Sequence, residues 1–235
     1  MNLLIIGAPG AGKGTMSNLI VDYYKVVHIS TGDMLRQAIS ENSEVGKIAS
    51  DYINEGKLVP DSIIQSIIVE RLKKDDVKNG FLFDGYPRTV KQAESLTSIL
   101  NDLGKKIDAV INLNVEYDLL VKRIEGRRVC PKCGISYNVY FSKPKIENVC
   151  DKCSTNLIIR GDDNPESVKK RLDEFNFNTK PVIDYYKKQG VVKDVNGNFE
   201  SDVTFKEIQK ALEGIRWLRL NLHVKSNLWI RQEVL

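Results

Sequence analysis

Gly7 to Thr15 reads GAPGAGKGT, a spacing of glycines and one lysine suited to gripping phosphate. The glycines let the backbone turn tightly and aim consecutive N–H groups inward, and a following helix N-terminus favours an anion. Lys13 is placed to reach the outer phosphates of a nucleoside triphosphate. Gly14 occupies the position where the strict motif has Ser or Thr, and Thr15 follows it. The usual direct magnesium ligand is therefore missing, which shifts weight to water-mediated coordination near a carboxylate elsewhere.

A second candidate lies at Phe83 to Thr89, FDGYPRT. Asp84 suits a magnesium-bound water, Gly85 permits close approach of backbone to ligand, and Arg88 can clamp a phosphate. Taken alone, the stretch reads equally well as a strand-ending turn with solvated charges. The cysteines form a third candidate. All four fall in Cys130-x2-Cys133, sixteen intervening residues, then Cys150-x2-Cys153. Two such knuckles can set four thiolates in a tetrahedron around zinc with no position left for water, so the metal is expected to be structural. His28, in an apolar stretch before Ile29, reads as a packed or hydrogen-bonded residue rather than a base.

Elements must hold these groups together. Asn2 to Ile6 is an apolar run ending at Gly7, with a helical stretch beginning near Gly12. Phe81 to Phe83 and Ala109 to Val115 read as further buried strands, separated by helical patterns such as Ile64, Ile67, Ile68 and Leu72. This alternation predicts an α/β fold, a parallel sheet covered by helices on both faces. Ligands then sit at the carboxyl ends of strands, so the loops after Gly7 and Asp84 should converge. Two segments interrupt the alternation. Ser30 to Val59 reads as a small helical lobe, with Ser30 or Thr31 as a cap. Arg127 to Asn164 reads as a second lobe, with a strand-like SYNVYF and with Asn164 capping a helix that has Pro165 at its first position.

The chain has 235 residues, 42% hydrophobic and 28% charged, enough for one good core with inserted lobes. Its net charge of +4 comes from dispersed lysines and arginines balanced by acids, which argues for small anionic substrates over nucleic acid. The N-terminal run lacks a preceding basic region, and no stretch reaches the roughly 20 apolar residues of a membrane span, so a soluble cytosolic protein is expected. Cysteines in such a compartment favour metal over disulfides.

GAPGAGKGT, STGDMLR, GKLVPD, FDGYPRT with Gln92 three residues on, RIEGRR and RGDDNPESVKKRL occur in the order and spacing of adenylate kinases. The chain resembles that family over Met1 to Glu213, in its long-lid form with a metal-bearing lid. The resemblance implies a P-loop kinase fold with a core over 1–29, 60–126 and 165–213, a mobile AMP-binding lobe over 30–59 and a mobile zinc-bearing lid over 127–164. It implies Mg²⁺-dependent exchange among ATP, AMP and ADP by a monomer. The ATP site would comprise Gly10, Ala11, Gly12, Lys13, Gly14, Thr15, Arg127, Ser136, Tyr137 and the backbone at Phe199. The AMP site would comprise Thr31, Arg36, Lys57, Leu58, Val59, Gly85, Tyr86, Pro87, Arg88 and Gln92, together with Arg160 and Arg171. Arg123, Arg160 and Arg171 match the arginines that converge on the transferring group, alongside Lys13, Asp84 and Arg88. Met16 stands where the family usually has Gln, and Tyr86 where it usually has Phe, so effects on packing or affinity are expected.

Two other readings stay open at this point. One is a kinase with UMP or CMP as acceptor; Thr31, Gln92 and the long lid favour AMP. The other is a zinc-ribbon nucleic-acid binder, weakened by the lack of a dense basic stripe interleaved with aromatics around the cysteines. The tail from Gly214 to Leu235 carries four basic residues and one acidic, most of the net charge, with Leu218, Leu220, Leu222 and Val224 in strand-like alternation. It reads either as an added strand, partner-binding or membrane-surface segment, or as extraneous sequence without function, and its abrupt change of composition favours the second.

Overall fold

The computed structural model describes residues 1–54 and 57–230. Its centre is a five-stranded parallel sheet in the order β2-β3-β1-β4-β7, formed by β1 (Asn2–Gly7), β2 (Val27–Ser30), β3 (Phe81–Asp84), β4 (Ala109–Asn114) and β7 (Val192–Asn196). Side chains of successive strand residues face opposite ways, and the two apolar clusters follow that rule. Leu4, Ile6, Ile29, Phe81, Phe83 and Val110 pack on one face, against α4 (Asp61–Leu72), α5 (Val90–Asp102) and α8 (Lys180–Lys187). Leu3, Ile5, Leu82, Ala109, Ile111 and Leu113 pack on the other, against α1 (Lys13–Tyr24), α6 (Tyr117–Glu125), α7 (Pro165–Glu174) and α9 (Ser201–Ile230). The α/β architecture with helices on both faces is thus as the sequence indicates.

The helical lobe consists of α2 (Thr31–Ser40) and α3 (Glu44–Asn54). Ser30 is the cap, its side chain accepting from Asp33 N at 3.3 Å, while Thr31 is the first helical residue and is used elsewhere. Leu35, Ala49 and Val59 belong to the same buried cluster as the sheet, so this lobe shares the main core. The cysteine-bearing lobe does not. Its β5 (Arg127–Val129) and β6 (Ser136–Asn138) pair only with each other among the named strands, and Cys130, Tyr137, Cys150 and Leu157 form a separate small core. The expected SYNVYF strand stops at Asn138: Tyr140 and Phe141 lie in the following turn and are exposed. Asn164 caps α7 through Ser167 N at 2.9 Å, with Pro165 at the first turn.

The strand-like reading of the tail is overturned, because α9 runs without interruption from Ser201 to Ile230. Once a helix is nucleated, each added residue gains one backbone hydrogen bond at little further cost. The single Gly214 is too weak a breaker to stop it.

Candidate active site

β1 delivers Gly7 to the edge of the sheet, and the chain curls over residues 8–12 before entering α1. Gly10 and Gly12 have φ of +84° and +88°, and a side chain at Gly10 would come within 2.6 Å of the Leu120 carbonyl. Both therefore require glycine. Lys13 opens α1, and its Nζ donates to the carbonyls of Gly7 at 2.8 Å and Ala8 at 3.0 Å. Burial pushes its amine down to about 8; Asp84 opposes this, while Arg88, Arg171 and Arg127 reinforce it. Gly14 and Thr15 are exposed at the mouth of the loop, and Met16 is buried in the core beneath it.

β3 ends between β2 and β1, with Ile5 and Ser30 both in register with Asp84. The two loops do converge. Asp84 Oδ2 accepts from Ser17 Oγ at 3.3 Å, and His28 Nε2 lies 3.6 Å from the same oxygen, packed beside it rather than bonded to it. Gly85, at φ +80°, turns its carbonyl toward two donors: Thr31 Oγ1 at 3.0 Å and Arg88 Nε at 2.8 Å. A side chain there would come within 3.2 Å of both Thr31 Oγ1 and Arg88 Nη2. The Tyr86–Pro87 peptide is cis. Tyr86 is buried against Phe83, and its hydroxyl donates to Gln92 O at 3.3 Å. Burial, with Asp61 nearby, pushes that phenol up to about 12. Gln92 is itself buried, its amide engaged by Arg88 N at 2.7 Å and Asp61 Oδ1 at 2.6 Å.

Arginines surround these loops. Arg88 is held below its usual range by burial first and then by Arg171. Arg171 is lowered by burial, with Arg127 adding to the effect and Asp162 and Asp163 opposing it. Arg160 is pushed down to about 10 by burial and by the charges of Arg127 and Arg36. Arg36 pairs with Asp33 on the turn below. Arg123 approaches the loop from the other side, with Nη1 3.9 Å from where a Gly12 side chain would begin. Its Nη2 donates to the Phe199 carbonyl at 3.3 Å, and Phe141 lies 6.0 Å from the guanidinium. Like charges so gathered and partly desolvated await an anion of high charge.

Compared with known proteins, residues 5–191 match the family described as adenylate kinase. The chain is 49% identical over 216 residues to the adenylate kinase of Caldanaerobacter subterraneus subsp. tengcongensis, covering 92% of this chain and 98% of that protein. It is 49% identical over 213 residues to that of Desulforamulus reducens, covering 91% of this chain and 100% of the relative. It is 46% identical over 216 residues to that of Archaeoglobus fulgidus, covering 92% and 100%. The chain belongs to the adenylate kinase family.

Within this adenylate kinase family member, the cysteine lobe has the geometry of a metal cage. The four Sγ atoms lie within 4.8 Å of one another, with pairs at 3.3, 3.5 and 3.6 Å, and all are free thiols. A tetrahedron with Zn–S distances of about 2.3 Å has edges of about 3.8 Å, so the set fits zinc and is far too open for disulfides. Tyr137 turns its ring into this cage: its hydroxyl accepts from Asp151 N at 2.8 Å and lies 3.6 Å from Cys150 Sγ. Its side chain is thus structural here, and Ser136 beside it is exposed. On the helical lobe Lys57 is exposed, Leu58 half-buried and Val59 buried.

Sequence reasoning missed the acids that orient these groups. Asp163, whose side chain is fully buried, takes Arg127 Nε at 2.7 Å and a second contact from Nη2. Arg171 Nη1 reaches Asp162 Oδ2 at 2.9 Å and Asp163 Oδ1 at 3.3 Å. Asp61 and Ser17 were likewise unnoticed. The available signal was the adjacent pair of acids in RGDDNPES, placed between an arginine and a helix cap.

Proposed function

We propose that the chain catalyses reversible phosphoryl transfer from Mg·ATP to AMP, giving two ADP. The observation that carries this reading is the convergence of the loop after β1, with Lys13, on Asp84 and Arg88 after β3, joined by the Ser17–Asp84 bond, in a chain of this family. Phosphoryl transfer proceeds through a loose transition state, so the work is alignment and charge neutralisation and needs no general base. Residues 10–15, with Lys13, take the ATP phosphates, and Arg123 with the Phe199 backbone flanks the ATP base. Thr31, Arg36, Gly85, Arg88 and Gln92 take AMP, with Gln92 reading adenine. Arg160 and Arg171 stabilise the group in flight, with Arg171 positioned by Asp162 and Asp163.

Asp84 and Ser17 offer hard oxygen atoms beside Lys13, a donor set suited to magnesium through its water shell. Bound there, Mg²⁺ would neutralise charge on the phosphate oxygens. Cys130, Cys133, Cys150 and Cys153 would hold a structural zinc that stiffens residues 127–164 as a lid, concentrating motion at its ends. Closure of such a lid keeps ATP from water and limits wasteful hydrolysis. No helix among the described residues is long and apolar enough to cross a membrane.

The deciding experiment is a coupled assay with AMP, CMP, UMP and GMP as acceptors, with metal content measured on the same sample. AMP should be preferred. A clear preference for another acceptor would overturn the assignment.

A further inference from the structure

Gln92 is the third residue of α5, fixed there by Thr89 Oγ1, which accepts from Gln92 N at 3.1 Å. Its side-chain amide is held from two directions. The Arg88 N–H can only donate, so the Gln92 atom 2.7 Å away must be Oε1. The Asp61 carboxylate accepts, so the atom 2.6 Å from its Oδ1 must be Nε2. Turning the amide over would set donor against donor and acceptor against acceptor simultaneously, in a residue only 6% exposed. Asp61 begins α4 and Arg88 lies in the loop before α5, so two separate elements agree on one orientation. One N–H and one oxygen lone pair of the amide remain for a ligand.

We infer that Asp61 is a specificity-positioning residue: together with the Arg88 N–H it locks the Gln92 amide, so that the acceptor site takes a 6-amino purine and refuses a 6-oxo purine. The inference rests on the reading of Gln92 as the residue that recognises the AMP base. Adenine presents a ring-nitrogen acceptor beside an amino donor, which a locked amide meets with its N–H and its oxygen. Hypoxanthine and guanine reverse both groups. An amide free to turn over would serve either kind of base, whereas a locked one leaves the wrong base with unmatched, desolvated polar atoms.

Asp61→Asn tests this, because asparagine has nearly the same size but can present either a donor or an acceptor by rotating its own amide. The measurement is kcat and KM for AMP and for IMP, with ATP as donor, in the full-length parent, Asp61→Asn and Gln92→Leu. The parent should prefer AMP over IMP by at least about a hundredfold in kcat/KM. Asp61→Asn should lose at least about tenfold of that ratio, with KM values moving more than kcat. A parental ratio in Asp61→Asn, alongside a collapsed ratio in Gln92→Leu, would overturn the role of Asp61 alone. A parental ratio in Gln92→Leu would overturn it together with the reading of Gln92. Equal use of IMP and AMP by the parent overturns the inference without any variant; should Asp61→Asn not fold, Asp61→Ser, whose hydroxyl also donates or accepts, is read in its place.

Discussion

Arg127, the first residue of β5, is gripped on two sides by Asp163, which immediately precedes the cap of α7. One pair therefore joins the entrance and the exit of the cysteine-bearing lobe. Asp163→Asn leaves the Arg127 charge partly buried without its counter-charge, which should cost about 3 kcal/mol, or about 10 °C in Tm. Asp162→Asn, whose carboxylate pairs with Arg171, should cost less. Thermal or urea unfolding of the two variants, compared side by side, checks the ranking; equal Tm values would refute it.

Lys13 gives the site a pH dependence. Burial pushes its amine down to about 8. Triphosphate binding adds negative charge and raises that pKa, so binding takes up a proton where the free amine has lost one. Affinity for ATP is then greatest below pH 8 and falls as pH rises, by about tenfold between pH 7 and pH 9. Calorimetry in buffers of differing ionisation enthalpy should show proton uptake near pH 8.5, and its absence would rule out the lysine as the linked group.

Arg88→Ala and Lys13→Ala each remove a positive charge from the proposed phosphate site. Turnover should fall by about a hundredfold to a thousandfold while the far-ultraviolet circular dichroism stays that of the parent. Parental turnover in either purified variant would remove that residue from the mechanism.

Cys150→Ser should lower the zinc content of the purified protein and its Tm, with little loss of activity at low temperature, because the cage lies apart from the phosphate loops. Chelation of the parent should reproduce the effect. A parent protein that contains no zinc, or a variant that keeps its full Tm, would contradict a structural role for the metal.

Much of this was legible from residue order. The strands at Asn2, Phe81 and Ala109 announce themselves as apolar runs because a parallel sheet buries both of their faces. β2 and β7 do not, since VHIS and VKDVN are short edge strands with partly exposed faces and mixed polarity. Glycines, lysine and arginines stand out by type and spacing. Asp61 and Asp163 do not, because an acid is informative only once its partner 31 or 36 residues away is seen beside it. The tail misleads for a different reason: alternating leucines fit a strand, but the helix that precedes them extends through.

The contrast between the two lobes also bears on engineering. Residues 127–164 keep four clustered cysteines and a small core of their own, so exchanging this segment for a relative's is expected to disturb the sheet little. The helical lobe, whose Leu35, Ala49 and Val59 are sewn into the apolar cluster of the sheet, can change only in step with the rest of the chain.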